Sequence, residues 1–176
     1  MASMEHTQFH LFADDGETPN NPRLPLVLYR GAVALAGARD PAAVFEKLFG
    51  ANGWSEGWRN GVHGFQHFHP HAHEVLGIAC GQAQVEFGGA RGRVLDLVAG
   101  DVVVLPAGTG HCRRSASADL LVVGAYPDNG GSWEHARPRE IDHATAQAAI
   151  ARVAAPASDP VHGEHGPLIE VWRQEP

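Results

Sequence analysis

Five of the chain's 12 histidines fall between His63 and His73, and a sixth, His111, follows a glycine-rich turn. Imidazole is the commonest metal ligand and the side chain that titrates near neutrality, so clustering of this density points to chemistry. His67 and His69 are separated by one residue, a spacing that puts both rings on the same face of a strand. Pro70 helps to turn the chain, and Glu74 begins a returning run whose carboxylate can approach the two rings. After the turn at Pro106-Ala107-Gly108, His111 opens another run and can add a third imidazole from the opposite side. Three neutral nitrogens and a carboxylate suit a divalent transition metal (Fe, Mn, Zn or Ni), with positions left open for water or a small ligand.

The neighbouring histidines set alternatives. Adjacent strand residues point to opposite faces, so either His73 or Glu74 faces the metal, and the spacing favours Glu74. His71 falls at the turn, where exposure to solvent is the expectation. His63 shares the parity of His67 and His69, which fits either the mouth of a pocket or a plain surface position. Cys112, next to His111, should point away from it as a small buried hydrophobe, and Cys80 reads the same way. Phe65 and Phe87 are expected in the core, and His162 and His165 on exposed loops.

The elements that must position these groups are short. Residues 67–69, 74–79, 83–87, 93–98, 101–105 and 120–126 are β-rich runs separated by Gly and Pro, at the spacing of a sandwich or barrel. Gln82, Gln84 and Glu86 alternate with Ala83, Val85 and Phe87, as on a strand with one wet face. Gly100-Asp101 reads as a tight turn. Residues 26–29 form a further short apolar run, preceded over 13–25 by turn-formers that read as an irregular arm. Asp40 caps an expected helix with Pro41 at its first position, an apolar face of Val44, Phe45, Leu48 and Phe49, and Gly50 as its stop. Residues 144–153 read as an Ala-rich helix, and the extended tail is expected to end in a strand over 168–172.

Two segments carry a family resemblance. The first is Gly61-x5-His67-x-His69-x4-Glu74-x6-Gly81, and the second Gly100-x5-Pro106-x-Gly108-x2-His111. They resemble the paired motifs of the cupin superfamily, the first at every defined position and the second at all but its last, where Ser115 replaces the usual Asn. In that family the Asn is structural, not a ligand. The flanks resemble one branch, the YjlB-like cupins, through Ala72-His73-Glu74-Val75-Leu76-Gly77, Asp159-Pro160-Val161-His162-Gly163 and Gly166-Pro167-Leu168. The resemblance implies an all-β fold, a double-stranded β-helix or jelly-roll barrel with flanking helices on its N- and C-terminal sides. With the turn-formers, the expected division is an irregular N-terminal arm at 1–25 and a single cupin domain at 26–176, with its barrel core at about 60–126 and a C-terminal helix and extended tail at 140–172. The resemblance also implies His67, His69, Glu74 and His111 as metal ligands, but no particular reaction, because cupins include dioxygenases, isomerases and binding modules. A dioxygenase leads by analogy, ahead of a sugar isomerase or a sensing module, and homodimers are common in the family.

Composition bounds these readings. The chain has 176 residues, 44% of them apolar, enough for one domain with a hydrophobic core. A formal charge of −7 disfavours nucleic acid as a partner, and a small-molecule ligand is expected instead. No apolar run is long enough to cross a membrane. The first residues lack a basic segment followed by an apolar one, so the expectation is a cytoplasmic protein with both cysteines reduced.

Overall fold

The computed structural model describes residues 6–129 and 131–173. Among these residues nine strands form two antiparallel sheets: β1 (Thr7–His10), β2 (Leu26–Tyr29), β3 (Glu56–Asn60), β4 (Glu74–Cys80), β5 (Gln82–Phe87), β6 (Arg93–Val98), β7 (Val102–Leu105), β8 (His111–Ala116) and β9 (Leu121–Tyr126). The larger sheet runs β1-β2-β7-β4-β9-β3 and the smaller β6-β5-β8, the two halves of a jelly roll. Three helices flank them: α1 (Pro41–Ala51), α2 (His143–Ala151) and α3 (Pro167–Arg173).

The parity of side chains along the strands explains the layering. Leu26 and Leu28 on β2, Leu76 and Ile78 on β4, Val103 and Leu105 on β7 and Val122 on β9 face the smaller sheet, where they meet Val85, Phe87, Leu95 and Leu97. The alternate residues, Val27, Tyr29, Val75, Val102, Val104, Val123 and Ala125, form a second cluster with Phe45 and Phe49 of α1 and with Leu168 and Trp172 of α3. Strands covered on both faces read as continuous apolar runs, as β2 and β7 do. Strand β5 is wet on one face and alternates.

Local chemistry sets the element ends. Asp40 caps α1 by accepting a hydrogen bond from Ala43 N at 3.2 Å, with Pro41 inside the first turn. The helix runs through Gly50, which keeps a negative φ. It stops at Asn52 and Gly53, and Gly53 takes the left-handed conformation at φ +77°. Asp142 caps α2 through Thr145 N.

Two expectations need correction. Residues 168–172 form a helix, not a strand. Leu168, Ile169 and Trp172 are buried and Glu170 is exposed, a helical spacing that five residues of mostly apolar sequence do not separate from a strand. Pro167 opens that helix, and the backbone N–H groups of Ile169 and Glu170 both reach Gly166 O. The N-terminal arm is not irregular throughout either: Thr7–His10 pairs antiparallel with β2, from Thr7 opposite Tyr29 to His10 opposite Leu26. Residues 13–25 lack regular structure but pack against the barrel. Buried Asn20 donates to Gly88 O and accepts from Gly110 N, both at 3.0 Å, and Asn21 donates to Ala107 O at 3.1 Å.

Candidate metal centre

The order of the interior face carries straight into the site. Glu74 has the parity of Leu76 and Ile78, so its side chain enters the space between the sheets, whereas His73 turns to the helix side with Val75. His73 is fully engaged there. Its Nδ1 accepts from Ala107 N at 2.9 Å, its Nε2 donates to Ala154 O at 3.1 Å, and its ring lies 4.7 Å from that of Trp172. Burial lowers its pKa to about 4. Opposite Glu74, His67 and His111 form an isolated antiparallel bridge, exchanging N–H···O bonds of 3.2 and 2.9 Å. The N–H of Gly108, in the left-handed conformation at φ +91°, ties the same turn to His69 O.

His67, His69 and His111 are all buried, and one ligand atom from each lies within 4.8 Å of the others. Glu74 Oε2 sits 2.8 Å from His69 Nε2 and 3.5 Å from His111 Nε2. The second nitrogen of each ring fixes its tautomer. His67 Nδ1 reaches Phe65 O at 3.0 Å, His69 Nδ1 reaches Trp133 O at 2.8 Å and His111 Nδ1 reaches Thr109 O at 3.0 Å. A carbonyl oxygen only accepts, so Nδ1 carries the proton in all three rings and Nε2 presents a lone pair. With neutral rings the buried Glu74 Oε2 faces acceptors and no donor, so the 2.8 Å contact to His69 requires a cation between the two atoms. A proton on His69 or a metal ion satisfies it.

The electrostatics follow this arrangement. Burial works against ionisation of Glu74, but the His69 and His111 rings outweigh it and hold the carboxyl well below its usual range. Burial and the neighbouring His111 push His67 down to about 2, so it stays neutral. Burial also disfavours charge on His69, yet the adjacent carboxylate overcomes it and raises the pKa. Three buried imidazoles so oriented can hold a metal ion.

The centre opens onto a cavity of about 480 Å³. His63 stands at its mouth, stacked on Phe65 at 4.6 Å, and His71 is exposed outside it. Four lining residues lacked a signal in the sequence: Trp58, Tyr126, Trp133 and His135. Trp133 and His135 come from the segment after β9, which crosses back over the site through an isolated bridge between Phe68 and Ala136. Trp58 stands opposite Gly124 in the β3–β9 register, and a Cβ at Gly124 would fall 2.1 Å from the indole, so the glycine lets the ring lie flat. The indole Nε1–H then donates to Tyr126 Oη at 3.0 Å. Burial and the Glu74 carboxylate push the Tyr126 phenol up, so it stays protonated.

A curated relative decides the family: the chain is 39% identical over 169 residues to the uncharacterized protein YjlB of Bacillus subtilis, covering 94% of this chain and 96% of that protein. This chain belongs to the YjlB family. No protein-family model matches it. Among solved structures, this chain is similar to a protein with a double-stranded β-helix domain from Klebsiella pneumoniae, at 20% identity and a TM-score of 0.38, covering 48% of this chain and 68% of that one. It is also similar to the acireductone dioxygenase of Bacillus anthracis, at 14% identity and a TM-score of 0.42, covering 76% of this chain and 85% of that one.

Proposed function

We propose that this cupin is a metalloprotein in which His67, His69, Glu74 and His111 hold one divalent transition ion. Open positions on that ion would face the cavity and take a small oxygen-bearing ligand. The observation that carries the reading is the donor set: three Nε2 lone pairs, each fixed by a backbone carbonyl on its far nitrogen, converge with a carboxylate oxygen that has no donor of its own. Such a set of converging lone pairs and one negative charge matches a divalent cation. When bound, the ion would supply Lewis-acid chemistry and, as iron, oxygen chemistry. The protein's own part is to hold the ligand beside the rings under Trp58 and Trp133 and to limit water in the cavity.

The reaction we propose is of the dioxygenase type. Protein purified without chelator should carry about one transition ion per chain by elemental analysis, and His111→Ala should lose it. Iron added anaerobically, followed by an oxygen-uptake screen over diols and enols, should then give uptake. Full occupancy with no uptake on any of them favours a binding module or an isomerase, and an empty wild-type protein overturns the metal centre itself.

We also propose a homodimer built through β1. Among the described residues β1 pairs only with β2, and Phe9 and Leu11 beside that edge are 39% and 58% exposed. Equilibrium sedimentation should give twice the chain mass, and a monomer mass refutes it.

A further inference from the structure

We infer that the cavity is built for an uncharged or singly negative oxygen ligand with a flat apolar body, and that Tyr126 donates a hydrogen bond to one of its oxygens; the inference rests on the metal reading above. Three observations carry it.

The first is charge. Among the described residues no lysine or arginine lines the cavity. Of the guanidinium groups near the rim, Arg59 pairs with Asp40 and Glu46, Arg137 stacks over the Phe65 ring at 3.8 Å, and exposed Arg113 runs along Gly61 and Gly64 on the outside. A divalent ion with three neutral imidazoles and one carboxylate leaves a net charge of about +1. Glu56 also lines the space but is exposed to solvent, which screens its charge from the buried centre. A single negative charge is thus neutralised on entry, while a small dianion keeps an uncompensated charge in a buried space.

The second is the walls. Trp58, Trp133 and Leu76 give the cavity flat and apolar surfaces beside the imidazoles. A ligand of oxygens alone leaves those surfaces uncovered, whereas a planar ring or conjugated chain covers them.

The third is the phenol. Tyr126 lines the cavity at 6% exposure, and its ring centroid lies 5.6 Å from that of His69. Its oxygen already accepts the Trp58 Nε1–H, which leaves the hydroxyl proton to be donated. Among the described residues no acceptor stands within hydrogen-bonding distance of it. A buried hydroxyl with a committed acceptor side and an uncommitted proton is arranged for a ligand oxygen. Tyr126 is therefore a positioning residue for that oxygen, oriented by Trp58.

The test uses the zinc-loaded full chain, zinc being redox-inert, with zinc content measured before any ligand is added. Titration calorimetry compares benzohydroxamate, acetohydroxamate and oxalate, each corrected for its affinity for free zinc. Benzohydroxamate should bind at least about tenfold tighter than acetohydroxamate, which has the same chelating head and no ring, and oxalate no tighter than acetohydroxamate. Tyr126→Phe should keep its zinc, weaken both hydroxamates about fivefold or more and leave the ring preference intact, the loss expected for one hydrogen bond of about 1 kcal/mol. Trp58→Leu should instead erase the ring preference. Oxalate binding tightest, no preference for the ring, or a Tyr126→Phe protein indistinguishable from wild type overturns the inference while leaving the metal centre standing. A wild-type chain that retains no zinc overturns both, and the elemental analysis shows which has failed.

Discussion

At the scale of single residues, the separation of His73 from Glu74 decides what each does. The two are neighbours in sequence, yet one faces the rings of the centre and the other the helices. His73 links Ala107 N to Ala154 O and is only 1% exposed. His73→Ala strands the buried Ala107 N–H and opens space beside Trp172, so it should cost about 2–4 kcal/mol in urea unfolding. Metal content of the folded fraction should not change, because the ring points away from the centre. Glu74→Gln gives the opposite pattern. It removes the only charge among the four groups, so metal affinity should fall by tenfold or more while the unfolding midpoint of the metal-free protein holds or rises. Elemental analysis and urea titration of both variants separate the two roles. Much of this was legible in the sequence, since the spacing of His67, His69 and Glu74 is a statement about strand parity. The acceptors that orient the rings were not, because Phe65, Thr109 and Trp133 contribute only backbone carbonyls, which no residue type announces.

At the scale of elements, glycines decide how closely the layers approach. Gly77 on β4 lies under Phe45 of α1, where an added Cβ would meet the ring at 2.4 Å. Gly77 and Glu74 share one seven-residue strand, so the seating of α1 and the position of the carboxylate are linked through it. Gly77→Ala should push Phe45 aside and cost about 1–3 kcal/mol, seen as a melting temperature lower by several degrees in calorimetry. The strands of the barrel were readable from Gly and Pro punctuation, and β5 also from its alternation. Strand β1 was not, because Thr7-Gln8-Phe9-His10 has no apolar period and acquires its register from the free edge of β2. The same limit hid Trp58. Its place above the cavity depends on Gly124, 66 positions later in the chain, and on the β3–β9 register that brings the two together.

At the scale of the whole molecule, the C-terminal helix α3 closes over the outer face of the sheet that carries the centre. The hinge of this closure is Asp159, which is fully buried. Its Oδ1 accepts from Val161 N at 2.8 Å and His162 N at 3.1 Å, and its Oδ2 accepts from Tyr29 Oη and from Leu168 N, the latter at 3.2 Å. That one carboxylate joins β2 to the first turn of α3. Trp172, at the far end of the helix, donates from Nε1 to Pro25 O at 2.9 Å and packs in the cluster that covers the outer face of the large sheet. The sequence motif around Asp159 was visible as a resemblance, but its purpose was not, since its partner Tyr29 lies 130 residues away. Asp159→Ala leaves the Tyr29 hydroxyl and the N–H groups of Val161 and His162 without their acceptor, and leaves α3 joined to β2 there only through Leu168 N–H on Tyr29 Oη at 3.1 Å. The expected cost is about 3–5 kcal/mol in urea unfolding, with amide exchange across 167–173 accelerated first. Exchange that rises equally in α1 and α3 would mean that the carboxylate supports the whole sheet. Acceleration confined to α3 would identify the C-terminal helix as a separately anchored cover, held by Asp159 on one side and Trp172 on the other.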